Sequence, residues 1–450
     1  MAPRRTRSEL ETTRADAGFP DGDPGSVVRR APFSDNPTVG ARGQRTQQRI
    51  LDGALAVFGE TGYRQSNIDR ITKRAGCSRV AFYQYFSSKE DVFRHLAGQV
   101  ARQLSASSEA LAPVTPDLAG WTTLRAWIAR HGEVYDRYVA VFQSLEDAQR
   151  SDEAMAAASL RARDLHVALI RSRIASTELA PRELDSVIAL LLGTLARAHH
   201  FGSILRSAAP ESYRTDRLDD ALADLVHRTM FGLDAAINVH DAAPQRPPTL
   251  TLGKSFREAL LRQDAPDGDP SRRTMTALVE AGREVFVALG FHAARVDDIV
   301  AAAGVSHGVF YRYFENKAEL AHLLSVRAMR AMSIVLAEVP TAAHGDGPTA
   351  KAALRRWLRK YHTTYAAEGA MVGVWVDATL QDRAFGRDAP AAVDWGRRRL
   401  ARFLQPRDFG DHDIDAVMLL AVVDAFGARQ LPTVGADAAA QIIERGLLGH

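Results

Sequence analysis

The chain has 450 residues, 46% of them hydrophobic and 25% charged, with a formal net charge of only +3; that length suits two globular domains better than one, and so small a net charge leaves any nucleic-acid affinity to a local basic patch. Its single cysteine, Cys77, excludes an intramolecular disulfide scaffold. No apolar segment follows Arg4-Arg5, and the most apolar stretch, residues 187–196, is too short and interrupted to span a bilayer, so a soluble cytoplasmic protein is expected.

Residues 1–40 are rich in Arg, Asp, Gly, Pro and Ser without periodicity and read as a disordered basic arm. From there almost every segment repeats its apolar residues at three- and four-residue spacing, and alternating strand patterns are missing, so the fold class is all-α. In residues 41–95, Ile50, Ala54, Val57 and Phe58 form one face of a first helix ending near Gly62. Ser66-Asn67 can cap a short second helix, Gly76 supplies a tight turn, and Ser78 can cap a third helix that turns Phe82 and Phe86 inward. Two short helices joined by a glycine turn form a helix-turn-helix, whose second member enters the DNA major groove. Residues 96–240 read as further helices, and the proline-rich stretch 241–270 as a linker.

The pattern then recurs in residues 271–324. Ile68…Ile71…Ala75-Gly76-Cys77-Ser78…Phe82-Tyr83-Gln84-Tyr85-Phe86…Lys89 is matched by Val296…Ile299…Ala303-Gly304-Val305-Ser306…Phe310-Tyr311-Arg312-Tyr313-Phe314…Lys317, without a gap, 228 residues later. Further on, Leu124-Arg125…Trp127 matches Leu354-Arg355…Trp357 and Asp185…Val187 matches Asp415…Val417, both 230 residues apart. The ends, Arg228…Gly232 and Arg445…Gly449, match 217 residues apart, which predicts a 13-residue deletion in the loop before the last helix. Residues 325–450 would thus repeat 96–240, and the whole chain is a duplication.

Both copies of this motif resemble the hallmark of the TetR family of bacterial repressors. The resemblance implies two TetR-like units, each a three-helix DNA-binding domain followed by a helical ligand-binding and dimerisation domain. It assigns contacts with double-stranded operator DNA to Arg45, Asn67, Ser78, Arg79, Val80, Ala81, Tyr83, Gln84, Tyr85 and Lys89 in the first copy. In the second it assigns them to Arg295, Ser306, His307, Gly308, Val309, Tyr311, Arg312, Tyr313 and Lys317. Tyr85, Lys89, Tyr313 and Lys317 would hold phosphates, while Arg79 or Arg312 could read guanine and Gln84 adenine. Arg295 stands where the family usually has a capping threonine.

The copies differ in charge: residues 41–95 carry ten Lys/Arg against five Asp/Glu, residues 271–324 six against six. Phosphate neutralisation therefore favours the first copy. The resemblance also implies a pocket for a small hydrophobic effector, with candidates on a matched aromatic stripe: Trp127, His131, Tyr135 and Phe142, then Trp357, Tyr361, Tyr365 and Trp375. Ordinary core packing is the competing role for each. No cofactor or metal is expected; His199-His200 lack metal spacing and read as surface or capping groups, as do Asp411-His412-Asp413. Cys77 reads as a small buried hydrophobe, since Val305 is its counterpart. Gly304-Val305-Ser306-His307-Gly308 mimics a hydrolase nucleophile elbow but follows a helical segment instead of a strand, and no enzyme is expected.

The apolar late helices at residues 185–200 and 415–427 could pair inside the chain, making it its own pseudo-dimer, with an intermolecular homodimer as the other arrangement. Unlike recognition helices would then call for a non-palindromic operator. The competing reading is a ligand-sensing or partner-binding module that uses only its first helix-turn-helix on DNA, with the second as scaffold.

Overall fold

In the computed structural model, residues 40–63, 65–175, 177–233, 247–251, 270–379, 383–428 and 435–450 are described. The expected arm at 1–40, apart from Gly40, and most of the expected linker at 241–270 lie outside them. Regular structure among the described residues is helical, apart from one isolated bridge between Val114 and Ile174, and the all-α expectation holds.

The first half runs through α1 (Ala41–Thr61), α2 (Ile68–Ala75), α3 (Arg79–Tyr85) and α4 (Lys89–Glu109), then α5 (Leu118–Arg137), α6 (Val139–Ser151), α7 (Glu153–Arg171), α8 (Pro181–Ala208) and α9 (Thr215–Phe231). The second half repeats it with α10 (Pro270–Ala293), α11 (Val296–Ala303), α12 (His307–Tyr313) and α13 (Lys317–Ala337). There follow α14 (Pro348–Thr379), α15 (Arg383–Leu404), α16 (His412–Gly427), α17 (Ala436–Gln441) and a π-helical turn, Ile442–Leu448. α10 is broken at Gly290, whose φ of 77° matches the 75° of Gly62. Only glycine adopts that conformation cheaply, so both first helices stop at the same place.

Three cores form. One sits within α1–α4 and takes Tyr138, Val141 and Ala148 from α6 and the residue before it. A second sits within α10–α13 and takes Met371 and Val374 from α14. The third is shared by both halves: Val187, Ile188, Leu191 and Leu195 of α8 pack in one cluster with Val417, Leu420 and Val423 of α16. α16 is apolar on nearly every side, and a helix of that kind is stable only when surrounded. α8 and α13 are each long and apolar enough to cross a membrane by length and composition, but about half of each apolar window is buried inside the fold.

The duplication is visible in matched ion pairs. Arg125 of α5 reaches Asp220 of α9 at 2.9 Å, and Arg355 of α14 reaches Asp437 of α17 at 2.6 Å. The expected deletion is placed differently, however: it falls mainly in helix length and not in a loop. α8 has 28 residues where α16 has 16, and α9 has 17 where α17 and the π-helical turn have 6 and 7. A second difference separates the halves. α5 and α6 are distinct helices that meet at Tyr138, whereas their counterpart α14 is one helix of 32 residues.

Polar ties cross between the halves at the edge of the shared core. Arg197 pairs with Asp424 (3.0 Å), Arg217 with Asp411 (2.6 Å) and Arg445 with Glu178 (3.0 Å). Arg445 also donates to the Thr229 carbonyl at 2.9 Å. Beside them, Asp394 and Arg397 are fully buried 2.8 Å apart, and Asp394 also accepts from the Leu250 amide at 3.1 Å. Asp394 also pairs with Arg398 at 3.0 Å, and Arg397 with the partly exposed Asp413, so removing Asp394 takes the only fully buried carboxylate from two arginines and leaves Arg397 with Asp413 alone. Asp394→Ala is expected to destabilise the fold by about 3–5 kcal/mol, read as a lower urea midpoint.

Candidate nucleic-acid interface

Each helix-turn-helix is built from local signals. Asn67 caps α2 by accepting from the Arg70 amide at 2.9 Å, Gly76 takes the left-handed turn at φ 62°, and Ser78 caps α3 by accepting from the Ala81 amide at 3.1 Å. In the second copy Gly304 turns at φ 65°. Arg295 makes no side-chain cap; only the return arm of a capping box forms, its backbone amide donating to the Asp298 carboxylate at 2.8 Å, while the Asp298 amide donates to the Arg295 carbonyl at 3.2 Å. Ser306 starts α12 without a side-chain cap.

Phe82 and Phe86, like Phe310 and Phe314, are buried and hold the recognition helices α3 and α12 by one face. The opposite face is open. In α3 it presents Arg79, Val80 and Gln84, and in α12 His307, Gly308, Tyr311 and Arg312. Ala81, Tyr83 and Val309 are half-buried, while Arg45, Asn67, Ser78, Arg295 and Ser306 are exposed. The first residue of each recognition helix is tied back to the preceding helix at equivalent positions: Arg79 to Asp69 at 3.0 Å, and His307 to Asp297. Sequence reasoning missed both aspartates.

The lysines expected at phosphates are directed inward. The Lys89 ammonium donates to the Tyr63 and Ser66 carbonyls at 3.1 and 3.3 Å and lies 4.7 Å from the centre of the Tyr63 ring. Lys317 does the same to Phe291 and Ala294 at 2.9 and 2.8 Å, over the Phe291 ring, and burial lowers its pKa. Each lysine therefore staples the loop between the first two helices to the start of the fourth. Tyr85 is buried and Tyr313 half-buried, in the two small cores.

The charge difference lies on the second helices. Arg70, Lys73 and Arg74 are exposed on α2, and their counterparts on α11 are Asp298, Ala301 and Ala302. The elbow-like Ser306 is an exposed residue preceded by helix α11, so the strand-turn-helix of a nucleophile elbow is not formed. Cys77 is half-buried, and burial raises its pKa, which favours the unreactive thiol. Among the described residues no cluster could hold a metal ion.

The aromatic stripe of the first half is a buried stack. His131 lies 5.8 Å from Trp127 and 5.8 Å from His199, and Tyr135 lies 5.9 Å from His199 and 5.0 Å from Phe142. The Tyr135 hydroxyl is 3.1 Å from His200 Nδ1. Both histidines read from sequence as surface or capping groups turn inward: His199 is buried in this stack, nested against Gly132, where an added Cβ would lie 2.7 Å from its ring, and half-buried His200 bonds to Tyr135. Asp411, by contrast, does cap α16. Trp127 also lines a narrow apolar cavity with Leu111, Leu124, Ile170, Leu191 and Met230. In the second half Trp357 and Tyr361 are buried, Tyr365 is half-buried against Tyr361, and the Trp375 side chain lies outside the described residues.

Comparison with known proteins adds an independent line. The family described as bacterial regulatory proteins, tetR family, matches twice, at residues 50–96 and 278–324. The transcriptional regulator AcuR of Cereibacter sphaeroides is 32% identical over 168 residues, 35% of this chain and 75% of that protein. The HTH-type transcriptional repressor AcnR of Corynebacterium diphtheriae is 31% identical over 90 residues, 20% of this chain. The fatty acid metabolism regulator protein of Bacillus subtilis is 37% identical over 60 residues, 12% of this chain. The chain spans 47% and 31% of the length of these last two.

Two outcomes are expected. Replacing Lys89 by Met should lower the stability of the DNA-free protein by about 1–3 kcal/mol and speed amide exchange in residues 62–67; a lysine serving phosphate alone would change neither. The buried histidines should make stability depend on pH. Burial lowers the pKa of His131 to about 3 and those of His199 and His200 to about 4, whereas the ordinary value is 6.5. The unfolded chain takes up these protons first, so their contribution is complete above about pH 6.5 and is lost as pH falls toward 4. Urea titrations across that window should show His131→Phe with a shallower slope, by about 1.4 kcal/mol per pH unit.

Proposed function

The chain belongs to the TetR family of bacterial regulatory proteins, and from that premise we propose that it is a cytoplasmic DNA-binding transcriptional regulator, a repressor released by a small hydrophobic or aromatic effector. The observation that carries this reading is the pair of helix-turn-helix units, each fixed by one face with its recognition helix open on the other. The recognition helices differ at three open positions, Arg79 against His307, Val80 against Gly308 and Gln84 against Arg312, which supports an operator of two unlike half-sites. The core shared by α8 and α16 supports an intrachain pseudo-dimer, because the helices that would pair two subunits are buried against each other. The narrow cavity beside Trp127 supports effector binding that spreads the surrounding helices, since a ligand larger than the space it enters must displace the wall.

A second reading has its own support. Asp298, Ala301 and Ala302 replace the cations of α2, so the second unit attracts phosphate less strongly. In that reading only the first unit engages DNA and the second is scaffold. Footprinting on DNA upstream of the protein's own gene, with wild type, Tyr83→Ala and Tyr311→Ala, separates the two. Two adjacent unlike protected half-sites, each lost in its own variant, are expected. Protection that depends on Tyr83 alone would establish the scaffold reading.

A further inference from the structure

At their second residue the two recognition helices differ in whether there is a side chain at all, Val80 in α3 against Gly308 in α12. Val80 is 72% exposed, the most exposed of the large hydrophobic side chains among the described residues. It stands in the first turn of α3, beside Arg79, which is held back by Asp69, and one turn before the exposed Gln84. A β-branched apolar residue there gains nothing from helix propensity and leaves its methyl groups in water. Residues in the first turn of a recognition helix approach base edges. Along the major groove those edges present hydrogen-bond donors and acceptors and one kind of apolar group, the 5-methyl of thymine. At the equivalent position α12 has Gly308, which offers no side chain.

We propose that Val80 reads a thymine 5-methyl group in one half-site and that the other half-site has no counterpart of this contact at Gly308. The inference rests on the DNA-binding reading above. Gly308 is also a site where the contact can be installed. Its backbone has no positive φ, and an added Cβ would meet only Ser306 Oγ, at 4.0 Å.

The test begins by selecting bound duplexes from a randomised pool with the full-length protein. Each thymine of the selected site is then replaced in turn by uracil, which removes only the methyl. Fluorescence anisotropy should show one or two adjacent positions, all in one half-site, where uracil weakens wild-type binding about fourfold, the value of one buried methyl-sized group. Val80→Ala should bind the thymine and uracil duplexes equally, and Gly308→Val should acquire a thymine preference at the matching step of the other half-site. Uracil having no effect anywhere, or Val80→Ala keeping its sensitivity, would overturn the proposal while leaving DNA binding intact. Failure to select any duplex would overturn the DNA-binding reading and this inference with it. Val80 is exposed enough that its truncation leaves the fold in place, and circular dichroism of the variant checks this.

Discussion

The structure depends on the contact between α8 and α16. α16 has almost no polar face, so it must be covered nearly all round: α14 and α15 of its own half cover part of it, and the first half, chiefly α8, covers the rest. Once that apolar contact forms, the polar pairs at its margin become registration marks. Arg197–Asp424, Arg217–Asp411 and Arg445–Glu178 each join one half to the other and penalise a shifted docking. Partly exposed pairs add little net stability, but a misplaced charge at the edge of an apolar contact is costly. Hydrophobic burial thus supplies the driving force, and charge selects the register.

The two helix-turn-helix units hang from this shared core by different connections. In the first half, α5 belongs to the shared core and α6 to the small core of its helix-turn-helix, with the chain bending between them at Tyr138. In the second half, α14 serves both: Leu354, Trp357 and Tyr361 at one end lie in the shared core, and Met371 and Val374 at the other in the small core. A jointed connection can absorb a displacement locally, whereas a continuous helix carries it along its length. The cavity lies in the first half, lined in part by Leu124 and Trp127 of α5, the arm of the jointed connection that belongs to the shared core.

The helix-turn-helix was legible in the sequence because its boundaries are set by neighbours in the chain. Asn67, Gly76 and Ser78 cap and turn the backbone through contacts within a few residues, and their types announce the geometry. The pairing of the late helices was legible for a related reason, since a helix apolar all round must be covered. The inward turn of Lys89 and Lys317 was not: each reaches carbonyls 23 and 26 residues away, and a lysine in a motif looks the same whether it faces phosphate or its own loop. Nor was the burial of His199, because a polar residue in an apolar helix does not state which residues of a distant helix stack on it. Sequence offsets, likewise, locate the residues missing between the copies without saying which element lost them.

In the proposed intrachain pseudo-dimer, the covalent joining of the two helix-turn-helix units changes how a population of such molecules behaves. A regulator assembled from separate copies dissociates on dilution, and a single defective copy can poison every partner it joins. Here the α8–α16 contact is made within one chain, at an effective concentration set by the tether and not by expression level. In that proposed arrangement, occupancy of a site would rise in simple proportion to the number of chains, without an assembly threshold. The same proposal implies that a damaged chain is lost from the pool without taking an intact one with it, and that each recognition helix is free to change without having to suit a second copy of itself.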